Sequence, residues 1–354
     1  MRMQHRSFWG GLWQWVKRSI FAGSVIYVVG LLVWMLLWQL AADRWWWLFV
    51  VNSLAMYLWL PLPLVGLGAL LIRSRRLIGI VLVMALFGFG IFGVNVAPTR
   101  QVSASGPMLS FASYNVLGSN RNYSEALELI RSLNADVIGL QELGPEMAEQ
   151  ISSAFREEYP YQWIEARPGV SGMGLLSRYP LEPVRSTNWS KTWIGDPQLA
   201  RITVDQRVVT VLNFHAIAPL SRLPASGLTG NVRERERHAA TIVELAQQND
   251  GPFVALGDLN ATSRNHAYRL LNTQLADAWE GVGSGFGHTW PSRLYSPIRH
   301  HIPVRMLDVL QLKWLVRIDY VFHSRDLVAI DARIAAHGAG SDHRPVAATL
   351  MFTR

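Results

Sequence analysis

The sequence predicts an α/β domain carried behind an all-α membrane module, and three observations lead there. Half of the 354 residues are hydrophobic and only 16% are charged, with a mean hydropathy of +0.15. That balance excludes a disordered or fibrous chain and is unusual for a wholly soluble one. The formal charge of +8 lies entirely within residues 1–100, where nine Lys/Arg face Asp43 alone; the rest of the chain holds 24 bases and 24 acids. From residue 108 onward, short apolar runs alternate with helical patterns, as in an α/β domain. There is no cysteine, which excludes disulfides, thiolate metal sites and a cysteine nucleophile.

Three apolar runs open the chain: Ile20–Ala42, Trp45–Ile72 and Leu77–Val96. A bilayer core needs about 20 apolar helical residues, and each run meets that length. The sequence therefore predicts three transmembrane helices (20–42, 45–72 and 77–96) within an anchor covering residues 1–96. The first run is too long for a signal-peptide core, and two more follow it. Arg2, Arg6, Lys17 and Arg18 precede the first run, and Arg73, Arg75 and Arg76 lie between the second and third; the opposite side has only Arg44 and Arg100. The positive-inside rule then places the N-terminus in the cytoplasm and residues 101–354 outside it, in a multi-pass protein of the cell membrane. Trp9, Trp13, Trp15 and Trp45–Trp47 sit where aromatic belts form. Phe8–Trp15 fits either a short interfacial segment or a plain lead into the first span.

Residues 97–107 (APTRQVSASGP) are small and turn-forming and read as a tether. The domain then runs over 108–354. Strands are expected at Leu109–Tyr114, Val137–Leu140, Gly174–Leu176, Val208–Asn213, Phe253–Leu256, Ile318–Phe322 and Val346–Leu350. Helices are expected at Ser124–Leu133, Glu146–Phe155 and Arg233–Gln248. In the last, Val232, Ala239, Ile242, Val243 and Ala246 form an apolar stripe, and the Arg/Glu run at 233–237 reads as a solvated face.

Polar groups recur at or beside the ends of these apolar runs. Asn115, Glu142, His215, Asp258 and Asn260 each follow one, Asp319 lies at the start of another, and Asp342-His343 precedes the last. A buried strand's end is a rigid place from which to aim a side chain. The set offers hard oxygen donors for a divalent cation and imidazoles for proton transfer, as metal-assisted hydrolysis of a phosphate ester requires.

Six motifs in order, Ser113-Tyr114-Asn115-Val116, Leu140-Gln141-Glu142, Asn213-Phe214-His215-Ala216, Gly257-Asp258-Leu259-Asn260, Arg317-Ile318-Asp319-Tyr320 and Ser341-Asp342-His343, resemble the endonuclease/exonuclease/phosphatase superfamily. That superfamily includes pancreatic-type deoxyribonuclease, abasic-site endonuclease, neutral sphingomyelinases and inositol-polyphosphate phosphatases. The resemblance covers residues 108–352 and implies a four-layer sandwich of two mixed β-sheets flanked by helices. The three-helix anchor with an outward domain looks like a membrane-bound branch that includes proteins linked to glycopeptide-antibiotic resistance.

By this resemblance Glu142 is the main Mg²⁺ ligand, with Mn²⁺ as a substitute, Asn115 helps hold metal or phosphate, and Asp342 lies near the metal. His343 activates water or contacts the scissile phosphate, and Asp319 orients it. Asp258 and Asn260 position nucleophile and phosphate, and His215 can protonate the leaving oxygen; which group is base and which is acid stays open. Gly172–Arg178 resembles a core strand, and Trp290 of the Gly285–Pro291 loop is expected at the substrate cleft. His288, His300 and His301 read as loop residues rather than a zinc site. The expected activity is hydrolysis of phosphate mono- or diesters, with lipid-linked or small substrates favoured by the neutral domain and its tether to the membrane. The alternatives are a nuclease acting on DNA and an inactive membrane-bound binding protein.

Overall fold

The computed structural model describes residues 2–93, 106–184, 189–219, 227–292 and 313–353. The chain divides into two compact units, residues 1–94 and 95–354. Most of the expected tether, residues 97–105, lies outside the described residues.

The first unit is helical. Helix α1 (Arg2–Ala41) absorbs the first apolar run and continues through Phe8–Trp15 without a break. Its segment Trp9–Ala41 is long and apolar enough to cross a membrane. The second run is not one straight helix. It breaks into α2 (Trp46–Ser53), a 3₁₀ turn at Ala55–Trp59 and α3 (Leu62–Leu71), with a bend of 69° after Ser53. Two local causes are visible. Buried Asn52 donates to Ala42 O (3.0 Å) and Asp43 Oδ1 (2.7 Å) and accepts from Trp34 Nε1 (3.0 Å), which ties the end of α2 back to α1. Pro61 and Pro63 flank the start of α3, where a missing N–H costs no helical bond. Helix α4 (Arg75–Ile91) is capped by Ser74 and has 17 residues, the short limit of a spanning helix. Among the described residues, then, one helix has the length and composition to cross a membrane, or two if the bent pair makes one crossing, and the expected three are not shown.

Among its described residues the second unit holds twelve strands in two six-stranded sheets. They are β1 (Met108–Asn115), β2 (Val137–Gln141), β3 (Tyr161–Glu165), β4 (Met173–Ser177), β5 (Leu181–Pro183), β6 (Gln198–Val204), β7 (Arg207–His215), β8 (Phe253–Asp258), β9 (Ala276–Asp277), β10 (Asp319–His323), β11 (Leu327–Ile334) and β12 (Val346–Phe352). The first sheet runs β11-β12-β1-β2-β4-β3 and the second β5-β6-β7-β8-β10-β9. Each has one parallel pair at its centre, β1/β2 and β7/β8, among antiparallel neighbours, so both are mixed. The expected two-sheet sandwich is therefore present.

The main core lies between the sheets, where Phe111, Val137 and Leu175 meet Val211, Val254, Leu256 and Val321. Burying each such side chain is worth about 1.5–3 kcal/mol. Helices α5 (Tyr123–Leu133) and α6 (Pro145–Ala154) cover the outer face of the first sheet. In α5 the buried residues Ala126, Leu129, Ile130 and Leu133 fall at helical spacing on one stripe. Helix α7 (Gly227–Gln248) packs with α8 (His266–Leu271), and α9 (Ala278–Val282) closes against β11. The charged run in α7 is not a uniformly solvated face. Arg233 and Arg237 are exposed, but Arg235 is only 1% exposed, because its guanidinium turns inward to the chain leaving β7.

A buried amide lattice ties the sheets together beneath their central strands. Gln141 Nε2 donates to Asn213 Oδ1 (2.7 Å), and Asn213 Nδ2 reaches Gln198 Oε1 (3.0 Å), Gly174 O (2.9 Å) and Leu140 O (3.2 Å). Ser113 Oγ completes it by donating to Gln141 Oε1 (3.3 Å). Gly139 permits this approach, since a Cβ there would lie 2.0 Å from Leu256 and 2.7 Å from Asn213 Oδ1.

Candidate functional site

The parallel pairs end at one edge of the sandwich. In β-register, Asn115 lies beside Gln141, and His215 and Asp319 both lie beside Asp258. The loop before β12 brings Asp342 and His343 to the same edge. Ser341 fixes that loop: its Oγ donates to Asn115 O (2.7 Å) and accepts from His343 N (3.0 Å). Tyr114 Oη adds a bond to Gly338 O (2.7 Å). All eight side chains singled out from the sequence therefore gather in one place.

Glu142 follows β2 on left-handed backbone (φ 55°), a conformation that costs of order 1–3 kcal/mol for a residue with a Cβ. Its carboxylate is held from both sides, by Asn115 Nδ2 at Oε1 (3.2 Å) and Gly118 N at Oε2 (3.3 Å). Only glycine fits at 118, because a Cβ would lie 1.8 Å from Gly169 O. The Asn115 amide also donates to Asp258 Oδ2 (3.2 Å) and so links the ends of the two sheets. Burial raises the pKa of Glu142, opposed by His343, Asn115 and Gly118.

Asp258 is buried between two imidazoles, with Oδ2 3.5 Å from His215 Nε2 and 3.8 Å from His343 Nε2. Burial raises its pKa and the neighbouring Asp319 adds to the rise. His343 Nδ1 faces both Asp319 oxygens (3.1 and 2.9 Å), and Nε2 points into the site, 4.0 Å from Asp342 Oδ1. Burial alone would lower the His343 pKa; Asp319 and Asp258 outweigh it and raise it, which favours the cation. His215 behaves oppositely. Burial, then the charge of His343, lower its pKa to about 3 against a weaker opposing contact with the Val170 backbone, so it stays neutral. Asn260, also on left-handed backbone, donates from its N–H to Asp258 Oδ1 (2.8 Å) and from Nδ2 to Ala216 O (3.0 Å). It thus braces Asp258 against the β7 exit.

The oxygen-rich donor set suits a hard divalent cation. Burial raises the pKa of the Glu142 and Asp258 carboxylates, and Asp342 Oδ1 is buried without a hydrogen-bond partner. A bound cation would relieve both conditions. The compact group whose ligand atoms all lie within 4.8 Å is Asp258, Asp319 and His343. One edge of that group is already taken, since His343 Nδ1 donates to both oxygens of Asp319, and Glu142, Asn115 and Asp342 bring further oxygens beside it.

Three residues that sequence reasoning gave no such role support the site. Ser341 acts as described above. Thr289 Oγ1 accepts from Ile318 N (3.2 Å) and Asp319 N (3.3 Å), and Trp290 Nε1 donates to Asp342 Oδ2 (3.0 Å). Trp290 was expected to line the cleft; its indole is partly buried and orients a carboxylate. His288 Nδ1 bonds to the Trp314 carbonyl (2.7 Å), and His300 and His301 lie outside the described residues.

The fold is shared with solved structures. Truncated Caenorhabditis elegans TDP2 aligns with a TM-score of 0.51 at 17% identity, covering 69% of this chain and 98% of that one. D. rerio TDP2 complexed with single strand DNA product gives 0.50 at 17% identity, covering 69% and 98%. An endonuclease/exonuclease/phosphatase from Bacteroides vulgatus gives 0.49 at 16% identity, covering 70% and 99%. No curated protein matches the chain by sequence. The family model described as Endonuclease/Exonuclease/phosphatase matches residues 112–343, from the first strand of the sandwich to the histidine that Asp319 holds, and the chain belongs to that family.

Proposed function

We propose that the chain is a membrane-anchored, Mg²⁺-dependent phosphoesterase that hydrolyses lipid-linked or small phosphate mono- or diesters outside the cytoplasm. Members of its family are in general hydrolases of phosphoester bonds. The observation that carries the reading is the buried Asp319–His343–Asp258 line, set beside the carboxylate of Glu142. Glu142, Asn115 and Asp342 would hold the metal, with Mn²⁺ as a substitute, and the metal would supply neutralising charge to the phosphate oxygens.

The protein's own groups divide the remaining work. Cationic His343, held at Nδ1 by Asp319, aims its Nε2 proton at a phosphate oxygen. Asp258, which burial makes a better base than an exposed aspartate, accepts the proton of the attacking water, and Asn260 keeps its carboxylate in place. Neutral His215 offers an Nε2–H hydrogen bond to the leaving oxygen rather than a full proton.

For location, the bases in the N-terminal half of α1 (Arg2, Arg6, Lys17 and Arg18) and those at Arg73–Arg76 fit a cytoplasmic face. With the bent pair as the return crossing, a final outward passage through α4, at the short limit of a spanning helix, would set the catalytic unit outside. A reporter that works only after export, fused behind Arg354, should be active; a reporter that works only in the cytoplasm and is fully active at that position overturns the assignment.

Equal numbers of bases and acids in residues 101–354 favour small or lipid-linked esters over duplex DNA. A protein gripping DNA through 6–10 phosphates loses about 10³–10⁵ in affinity between 50 and 200 mM salt. The full chain in detergent should turn over lipid phosphates and small phosphodiesters with mild salt dependence. Steeply salt-sensitive DNA cleavage with no turnover of any lipid phosphate reverses the choice of substrate.

A further inference from the structure

Arg235 is among the largest fully buried side chains in the described residues, yet it stands in a run of charges on α7 that the mechanism above does not use. Its Nε donates to Ile217 O (2.9 Å). One turn along the same helix, His238 Nδ1 accepts from Ile217 N (3.4 Å). Two side chains of α7 thus grip both backbone groups of a single residue. That residue lies two positions beyond His215, where the chain has left β7 and no ladder holds it.

The grip is itself braced. Because the Ile217 N–H takes His238 Nδ1 as acceptor, the neutral ring carries its proton on Nε2, which donates to Thr192 Oγ1 at 2.9 Å. Trp193 stacks on the His238 ring at 3.7 Å and 11°, and packs edge-on against Phe214. Its neighbour Ile194 donates N–H to His215 O (3.2 Å). The braces converge on residues 214–217 and leave the His215 imidazole as the part that faces the site.

We infer that Arg235 and His238 are positioning residues, which set the His215 imidazole against the leaving oxygen by clamping the backbone of Ile217. This rests on the proposed role of His215. A displacement of about 1 Å can cost a factor of 10² in rate, so a clamp remote from the chemistry is enough to matter. The loss should depend on the leaving group. A hydrogen bond to the leaving oxygen matters most where that oxygen carries most charge in the transition state, as in an alkyl ester, and least where a nitrophenolate leaves.

The test compares 4-nitrophenyl and benzyl esters of the same phosphate, using the full chain in detergent with Mg²⁺. In Arg235→Gln the amide nitrogen stands as many bonds from Cα as Arg Nε, and Asn at 238 places Oδ1 where His Nδ1 was. Arg235→Met and His238→Leu fill similar space without those groups. The Met and Leu variants should lower kcat on the benzyl ester by roughly 10- to 100-fold, with KM little changed and the nitrophenyl ester affected several-fold less. The Gln and Asn variants should recover most of that loss. Combining Arg235→Met with His215→Ala should cost little beyond His215→Ala alone. Equal losses on both esters, no recovery in the conservative variants, or additive losses with an impaired His215→Ala each overturn the clamp alone. Wild-type turnover in His215→Ala, or no turnover of either ester by the unaltered chain, overturns the proposed role of His215 and the clamp together.

Discussion

The two sheets are built alike and end differently. Each has a parallel pair at its centre, and both pairs stop at the same edge. The first sheet ends in Asn115 and Glu142, an amide and, on strained backbone, a carboxylate that accepts from Asn115 Nδ2 and Gly118 N. The second ends in His215, Asp258 and Asp319, which pair with imidazoles, their own or that of His343. On the proposed function, the same architecture would supply a cation-holding half and a proton-handling half. Asn115 is where they touch, since its amide donates to both Glu142 and Asp258.

Removing charge from the cation-holding half should have the largest effect. Glu142→Gln nearly keeps shape, and a metal's several kcal/mol of charge stabilisation corresponds to a loss in kcat of about 10³ or more. EDTA should abolish activity and Mg²⁺ or Mn²⁺ restore it. A Glu142→Gln protein with unchanged circular dichroism and wild-type turnover at micromolar Mg²⁺ would erase the distinction between the halves.

The proton-handling half comes next. His343→Ala and Asp258→Asn should each lower kcat by at least about 10², the low end for a positioned acid or base. If either variant instead raised the Mg²⁺ concentration needed for half-maximal activity and left kcat unchanged, it would belong to the other half.

Asp319→Asn should cost less, because it acts through the His343 ring. Together with His343→Ala it should add little to the single loss. Additive losses would show two independent contributions, and the bonds at Nδ1 would then be incidental.

The smallest effect concerns stability. Burial, then Arg235 and His215, lower the His238 pKa to about 3 in the folded chain, while an unfolded histidine titrates near 6.5. Above pH 6.5 the ring is neutral in both states and contributes no pH dependence. Below it the unfolded chain binds a proton that the folded chain refuses, so stability falls as pH drops toward 3. His238→Asn should flatten part of the fall in Tm between pH 6.5 and 4.5; an unchanged slope would mean that the ring titrates normally.

The sequence disclosed the sheet centres and hid the edges. Strands such as β2, β4 and β8 are buried on both faces and read as unbroken apolar runs. The edge strands β3, β5, β9 and β11 were not foreseen, nor was the inner strand β6 (QLARITV), and β3 (YQWIE) and β11 (LVAIDARI) show why for the edges, since their polar residues face solvent. The side chains proposed for catalysis were legible because strand ends mark them, and their motifs stand in family order. Ser341 was not, because its partner, the Asn115 carbonyl, is 226 residues away. Arg235 was misread for a related reason: a charge run looks alike whether its middle member faces water or a backbone carbonyl. In the anchor the apolar lengths were plain, and Asn52, Pro61 and Pro63 stood in view, but the bend depends on bonds from Asn52 to Ala42 and Asp43.

The amide lattice between the sheets has a consequence for descent. Ser113, Gln141, Gln198 and Asn213 satisfy one another where no water reaches. Changing one alone strands a buried donor or acceptor, at about 1–3 kcal/mol, whereas replacing matched partners together can be nearly neutral. The four positions form a single heritable character spread over 101 residues of chain. Among relatives they should change in concert or not at all, and a lineage that has altered the whole set has re-keyed how one half of its active site meets the other.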